Sequence, residues 1–347
     1  MKEIYYLFSS ISFLQLYIPL VIECNKRGYK SIFVVRYNRS KSYICPHNVE
    51  HYELLMKYTE LYGIKVLLAE NVTELIGTVF MVDGDIYGPK EKNYNESLLF
   101  KLKLHNAVKI SLTENVNYKW VYNKFINHVD HFLFANKIYA HNDRFISPKN
   151  LYIGNTKYDN VPTNSEIYQQ FNLEPTGKYV TVLYPKHIYV KKSAFDIKMH
   201  LEHLYKHLRN LGYTILVKLR PKENIGTIIK GDHTIVSEVY PNETLQLLKI
   251  SELCILFSSS AVEEAVMMHT PTIDFDIDTR NTDRLPFLKS PQIYHRIDGF
   301  PLIDNDKFLA STIDKLEEKN SPVFDTLIRD YLFTGHTSKN LINILCH

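Results

Sequence analysis

The chain alternates short apolar runs with longer amphipathic stretches. Residues 2–8 (KEIYYLF), 31–36 (SIFVVR), 64–68 (IKVLL) and 78–82 (TVFMV) have the length and continuity of buried strands. Residues 13–27, 49–61 and 71–76 between them have helical spacing, and Gly28 follows the first as a C-cap. A turn-rich break comes at residues 154–177, GNTKYDNVPTNSEIYQQFNLEPTG, with one short helix inside it. The alternation then restarts. Strands are expected over 179–184, 213–218, 234–236, 253–257 and 271–275, and helices over 193–210, 243–250 and 259–268. Two such β-α-β-α arrays predict an α/β fold of two Rossmann-like, doubly wound domains facing a central cleft. The first covers residues 1–155 and the second 175–323. A ligand is expected in the cleft, at the carboxyl ends of the strands.

One strand-to-helix junction stands out. Residues 256–268 read LFSSSAVEEAVMM, so Ser258, Ser259 and Ser260 fall at the expected helix N-terminus. Backbone N–H groups are unpaired there and the macrodipole is positive. Small residues let an anion approach, and serine hydroxyls add donors. A plain serine N-cap with acids in the first turn is the simpler reading; three consecutive serines favour a phosphate site. Glu263 or Glu264 would then accept from ribose hydroxyls, which makes the site one for a nucleotide diphosphate.

Composition narrows the picture. With 347 residues and 45% hydrophobic residues the chain can bury two cores. The 41 basic and 38 acidic residues leave a net charge of +3, so no nucleic-acid or membrane-binding face is expected. Cys24, Cys45, Cys254 and Cys346 form no CxxC pair and read as reduced thiols of a cytoplasmic protein. Residues 7–24 are apolar, but Ser9, Ser10, Ser12 and Gln15 interrupt them. Neither a signal peptide nor an integral membrane segment is expected.

The stretch SSSAVEEAVMMHTPTIDFD, followed by NTDR, resembles the nucleotide-binding motif of the UDP-N-acetylglucosamine 2-epimerase family, Ser-Gly-Gly-x-x-Glu-Glu-Ala, Pro, Thr-Glu-Arg. The matching residues are Ser258 to Ser260, Glu263, Glu264, Ala265, Pro271 and Thr282 to Arg284. MVDGD (Met81 to Asp85) resembles the family's Gly-Asp at a strand end, GNTKYD (Gly154 to Asp159) its Gly-Asn-Thr-x-x-Asp linker, and TGHTSKNLI (Thr334 to Ile342) its closing helix. The resemblance implies the two-domain GT-B fold, with residues 324–347 as a C-terminal helix crossing back to the first domain. It also places Arg284 at the nucleotide.

The departures bear on activity. The family's Gly-Thr-Arg-Pro-Glu loop is here SSISFLQ, without the arginine. Its His-x-Glu-Ala-Gly segment is KISLTENVNY, retaining Glu114, and its His-Arg-x-Glu-Asn is KHIYVKK, retaining His187. An epimerase removes a poor leaving group and a carbon-bound proton, which needs several placed acids and bases. Their thinning favours different chemistry on the same fold. VKLRPKEN (Val217 to Asn224) resembles the Lys-x-His-Pro segment of many GT-B glycosyltransferases and of the related teichoic-acid glycerophosphotransferases, with Arg220 in place of the histidine.

Asp83 and Asp85 end the strand TVFMV on one face, and Asp85 is the candidate base for an acceptor hydroxyl. An Asp-Gly turn with side-chain caps is the alternative. No metal motif occurs, and the GT-B resemblance implies a leaving diphosphate neutralised by helix dipoles and basic residues without a metal. The catalytic candidates are thus Asp85, Glu114 and His187. The nucleotide-binding candidates are Arg220, Ser258, Ser259, Ser260, Glu263, Glu264 and Arg284. The expected function is an inverting glycosyltransferase for surface polysaccharide or glycan synthesis. It takes a UDP- or CMP-type nucleotide sugar as substrate, needs no cofactor, and uses a glycan or small-molecule acceptor, with a homodimer left open. A divergent 2-epimerase and a non-catalytic nucleotide-sugar-binding protein are the alternatives.

Overall fold

A computed structural model of the protein describes residues 2–8, 10–35, 49–82, 98–113, 127–135, 137, 147–185, 197–219, 228–236, 240, 242–277, 292–332 and 336–345. The chain divides into two compact units, Met1–Asn160 with Asp330–His347, and Val161–Arg329. The second unit begins at Val161, and the chain rejoins the first unit at Asp330.

The first unit holds a parallel sheet of seven strands: β1 (Glu3–Phe8), β2 (Lys30–Val35), β3 (Lys65–Leu68), β4 (Gly77–Val82), β5 (Ala107–Leu112), β6 (His131–Phe134) and β7 (Asn150–Tyr152), in the order β3-β2-β1-β4-β5-β6-β7. Among the described residues of its first segment the helices are α1 (Leu14–Lys26), α2 (Val49–Leu61) and the single turn α3 (Leu98–Lys101). β1 shows why its sequence is apolar throughout. On one face Phe8 stacks with Phe33 and Tyr6 meets it edge to face, both against Tyr17 of α1, and Tyr5 and Leu7 pack with Ile32, Val79 and Met81 on the other. A strand buried on both faces has no polar side to alternate with.

The helix expected over 71–76 does not form. Ala69–Asn71 is one 3-10 turn, after which Leu75 N–H donates to the Lys103 carbonyl at 3.1 Å and Lys103 N–H to the Thr73 carbonyl at 3.4 Å. These sideways bonds use the backbone groups that a helix would pair internally.

The second unit holds a parallel sheet of six strands: β8 (Tyr179–Leu183), β9 (Thr214–Lys218), β10 (His233–Ile235), β11 (Leu253–Phe257), β12 (Thr272–Asp276) and β13 (Tyr294–Asp298), in the order β10-β9-β8-β11-β12-β13. Among the described residues its helices are α4 (Asn164–Phe171), α5 (Ile197–Asn210), α6 (Glu243–Ile250), α7 (Val262–Met267), α8 (Asp306–Ile313) and most of α9 (Pro322–Tyr331). α5 lays Leu201, Leu204, Tyr205 and Leu208 on the face of Val182, Val217, Ile255 and Ile273. α6 packs Leu247 and Ile250 with Tyr179 and Leu216, on the opposite side. No helix among the described residues is long and apolar enough to cross a membrane.

The last helix, α10 (Thr337–Leu345), belongs to the first unit and packs on α1. It is held by the GNTKYD segment. Asp159 accepts from Thr337 N–H at 3.1 Å and Ser338 N–H at 2.6 Å, and the Thr337 hydroxyl donates to the Ile153 carbonyl at 2.9 Å. Asn155 donates to the Thr113 carbonyl at 3.0 Å, and Thr156 to the Leu16 carbonyl at 2.8 Å. Two segments of the family resemblance therefore act on each other as a clamp. Asp159 satisfies two of the N–H groups that a helix leaves unpaired, so Asp159→Ala should cost about 1–2 kcal/mol. At this size each kcal/mol lowers the melting temperature by about 2–4 °C. Thermal unfolding followed by circular dichroism checks this, and an unchanged midpoint would mean that the helix needs no cap there.

Candidate functional site

β11 is buried along its length and ends at Phe257. The helix after it starts at Val262, three residues later than the serines suggest, so Ser258 to Ala261 form a turn and not the first helical turn. The cause is Ser258, whose φ is 48°. This left-handed conformation costs an L-residue about 1–2 kcal/mol and breaks the path of a right-handed helix.

Two carboxylates of the neighbouring strand hold Ser258 there. Its N–H donates to Asp274 Oδ1 at 2.7 Å and its hydroxyl to Asp276 Oδ1 at 2.9 Å. The register of β11 on β12 pairs Leu256 with Asp274, so both acids come level with the end of β11 on one face. β13 completes the group. The Tyr294 hydroxyl donates to Asp274 Oδ2 at 2.6 Å, and the Arg296 guanidinium pairs with Asp276. Asp274 is 1% exposed. Burial pushes its carboxyl up to about 6, outweighing the bonds from Tyr294 and Ser258 that pull it down.

The predicted residues separate accordingly. The donors of Ser258 are directed inward, while Ser259 is half-buried and Ser260 exposed. The Ser259 hydroxyl also accepts from Ala261 N–H at 3.3 Å. Glu263 is completely buried, because α7 turns Val262, Glu263, Ala265, Val266 and Met267 inward, whereas Glu264 is half-buried. Asp85, Glu114, His187, Arg220 and Arg284 lie outside the described residues.

Sequence reasoning missed Asp274, Asp276, Tyr294 and Arg296. The signal was present in TIDFD, where acids alternate with large apolar residues and so share one face of a buried strand. It missed a second buried group too. Lys218 ends β9 within the VKLRPKEN segment, and its Nζ lies 3.1 Å from Glu243 Oε2 at the start of α6 and donates to the Leu219 carbonyl at 2.9 Å. Burial lowers the Lys218 amine, and Glu243 opposes the shift. The Asn242 side chain caps the same helix, accepting from Thr244 N–H at 3.1 Å. Polar groups thus gather at the carboxyl ends of β9, β11 and β12, with Tyr294 and Arg296 of β13 beside them.

Two predictions follow from this polar edge. The folded-state pKa of Asp274 is raised from 3.8 to about 6, so the stability tied to its protonated form is complete below pH 3.8 and is lost as pH rises through about 6. Asp274→Asn cannot ionise. Relative to wild type, this variant should therefore gain about 2 kcal/mol between pH 4.5 and pH 7.5. Urea unfolding at both pH values measures the gain, and a constant difference would contradict the burial argument. In the second pair, Lys218→Met leaves Glu243 charged and buried, at a cost of about 3–5 kcal/mol. Lys218→Met combined with Glu243→Leu should recover most of that loss in the same assay.

No family model matches the chain, and no curated relative does. Solved structures do. The UDP-GlcNAc 2-epimerase of Neisseria meningitidis bound to UDP-GlcNAc is 12% identical with a TM-score of 0.62, over 99% of each chain. The wall teichoic acid polymerase TagF is 14% identical with a TM-score of 0.60, over 99% of this chain and 88% of that one. The spinosyn rhamnosyltransferase SpnG complexed with thymidine diphosphate is 10% identical with a TM-score of 0.53, over 99% of this chain and 97% of that one. With two parallel-sheet units of seven and six strands, the chain has the GT-B fold of these epimerases and glycosyltransferases.

Proposed function

We propose that the chain is a metal-independent, inverting GT-B glycosyltransferase that draws on a nucleotide-activated sugar and builds a surface polysaccharide or glycan. The observation that carries the reading is the serine turn at the carboxyl end of β11, on a fold shared with proteins that bind UDP-GlcNAc and thymidine diphosphate. In this reading Ser259 and Ser260 hold the diphosphate, and Glu264 accepts from the ribose hydroxyls. Arg220 and Arg284 offset the phosphate charge. An acceptor hydroxyl gives its proton to Asp85 as its oxygen bonds to the anomeric carbon. The bond from that carbon to the diphosphate breaks on the opposite face, and the nucleotide leaves with the electron pair. Glu114 and His187 are the further acid–base groups.

The second reading is a divergent UDP-GlcNAc 2-epimerase. It is favoured by the full-length likeness to structures of such enzymes. The transferase comes first because the loop SSISFLQ has no arginine and KISLTENVNY keeps Glu114 alone of its family segment.

Incubation with UDP-GlcNAc, without acceptor, separates the two. Nuclear magnetic resonance should show no epimer, and its appearance would reject the transferase. With a panel of nucleotide sugars and glycan acceptors, nucleotide release should depend on the acceptor. Asp85→Asn keeps the shape and removes the base, so turnover should fall about 10²–10⁴-fold with nucleotide affinity nearly unchanged. If turnover per folded molecule holds in Asp85→Asn but collapses in Glu114→Gln, the base has been misassigned.

A further inference from the structure

The serine turn is held more firmly than a connection between a strand and a helix requires. Ser258 has two donors, and each is taken by a different carboxylate of β12. Each carboxylate is held in turn from β13, Asp274 by Tyr294 and Asp276 by Arg296. A turn alone would be satisfied by a glycine or asparagine, which adopts positive φ at little cost and needs no buried acid behind it. Burying Asp274 is unfavourable unless the carboxylate is fully hydrogen-bonded. An arrangement in which three strands cooperate to fix one backbone conformation is characteristic of a ligand site held by its supporting residues.

We propose that Asp274 and Asp276 are positioning residues for the nucleotide. They fix Ser258 in its left-handed conformation and so set the direction in which Ser259 and Ser260 face the ligand. The inference rests on the reading of this turn as the nucleotide site. Neither acid touches the nucleotide, and both act through Ser258. Tyr294 and Arg296 keep the two carboxylates from rotating away.

The role separates from plain structural support by comparing binding with turn order. UDP-GlcNAc, UDP and thymidine diphosphate serve as probes in calorimetry with wild type, Asp274→Asn, Asp274→Leu and Asp276→Ala. Hydrogen exchange of the segment 256–262 reports the turn in the same samples, and melting temperatures report the fold. Asp274→Asn keeps an oxygen acceptor for the Ser258 N–H. It should hold the affinity of the tightest-binding probe to within about threefold, with exchange at 256–262 unchanged. Asp274→Leu removes the acceptor and should weaken binding about tenfold or more as exchange in the turn accelerates. Asp276→Ala should lie between the two, and it carries the test if Asp274→Leu does not fold. Accelerated exchange in Asp274→Leu or Asp276→Ala with unchanged affinity would overturn the positioning role and leave the nucleotide site standing. Failure of the wild type to bind any of the three probes, or CMP and GDP in the same assay, would overturn the nucleotide reading, and the inference with it.

Discussion

A parallel strand covered on both faces has little room for polar side chains away from its ends. β11 is buried from Leu253 to Phe257, and β1 from Ile4 to Phe8. The polar groups of the second unit therefore concentrate at the edges of its sheet, and the two edges are used differently. At the amino edge they are spent on closure. The Lys319 amine, pushed down to about 7 by burial, donates to the Leu248 and Met268 carbonyls and the Thr270 hydroxyl, and so ties off the ends of α6 and α7. At the carboxyl edge, Asp274 and Asp276 are spent on the conformation of one turn, and that turn leaves Ser260 exposed. This asymmetry is what a doubly wound sheet provides to a ligand.

The same constraint decided what could be read in the sequence. Strands buried on both faces are continuous apolar runs, and the observed bounds of β11 coincide with the run LCILF. α2 likewise spans the whole periodic stretch 49–61. β13, at the edge of its sheet, alternates weakly and carries His295 and Arg296, so YHRID does not look like a strand. β7 is another edge strand, only three residues long. The segment 71–76 looked helical because its apolar residues have helical spacing, but Leu75 and Thr73 bond sideways to Lys103. Pairing across thirty residues leaves no trace in a local pattern.

The site was legible in part for a related reason. Three serines after an apolar run mark a strand-to-helix turn, and this is local information. The left-handed φ of Ser258 is not local, because its cause lies in two acids on the next strand. Nor was the burial of Glu263 visible, since either glutamate of an Glu-Glu pair can face inward until the axial rotation of α7 is known. Of the two, packing of Val262, Val266 and Met267 selects Glu263 for the interior.

The likeness to the 2-epimerase family spans the chain, but its segments have different physical tasks. GNTKYD and TGHTSKNLI meet through Asp159 and Thr337, so these contacts serve the fold. SSSAVEEA carries the proposed nucleotide site, and it departs from the family pattern in one respect: serines stand at positions 259 and 260 where the pattern has glycines. Glycines let a phosphate approach backbone amides closely. Serines add a Cβ that limits this approach and a hydroxyl that donates in its place. In the proposed site the donors then shift from fixed backbone amides toward side chains that must be ordered, and ordering each one costs free energy. A turn that depends on hydroxyls for its donors gains more from a rigid backbone than one that depends on amides. That gives a physical reason for two carboxylates behind Ser258, where a glycine-rich turn would need none.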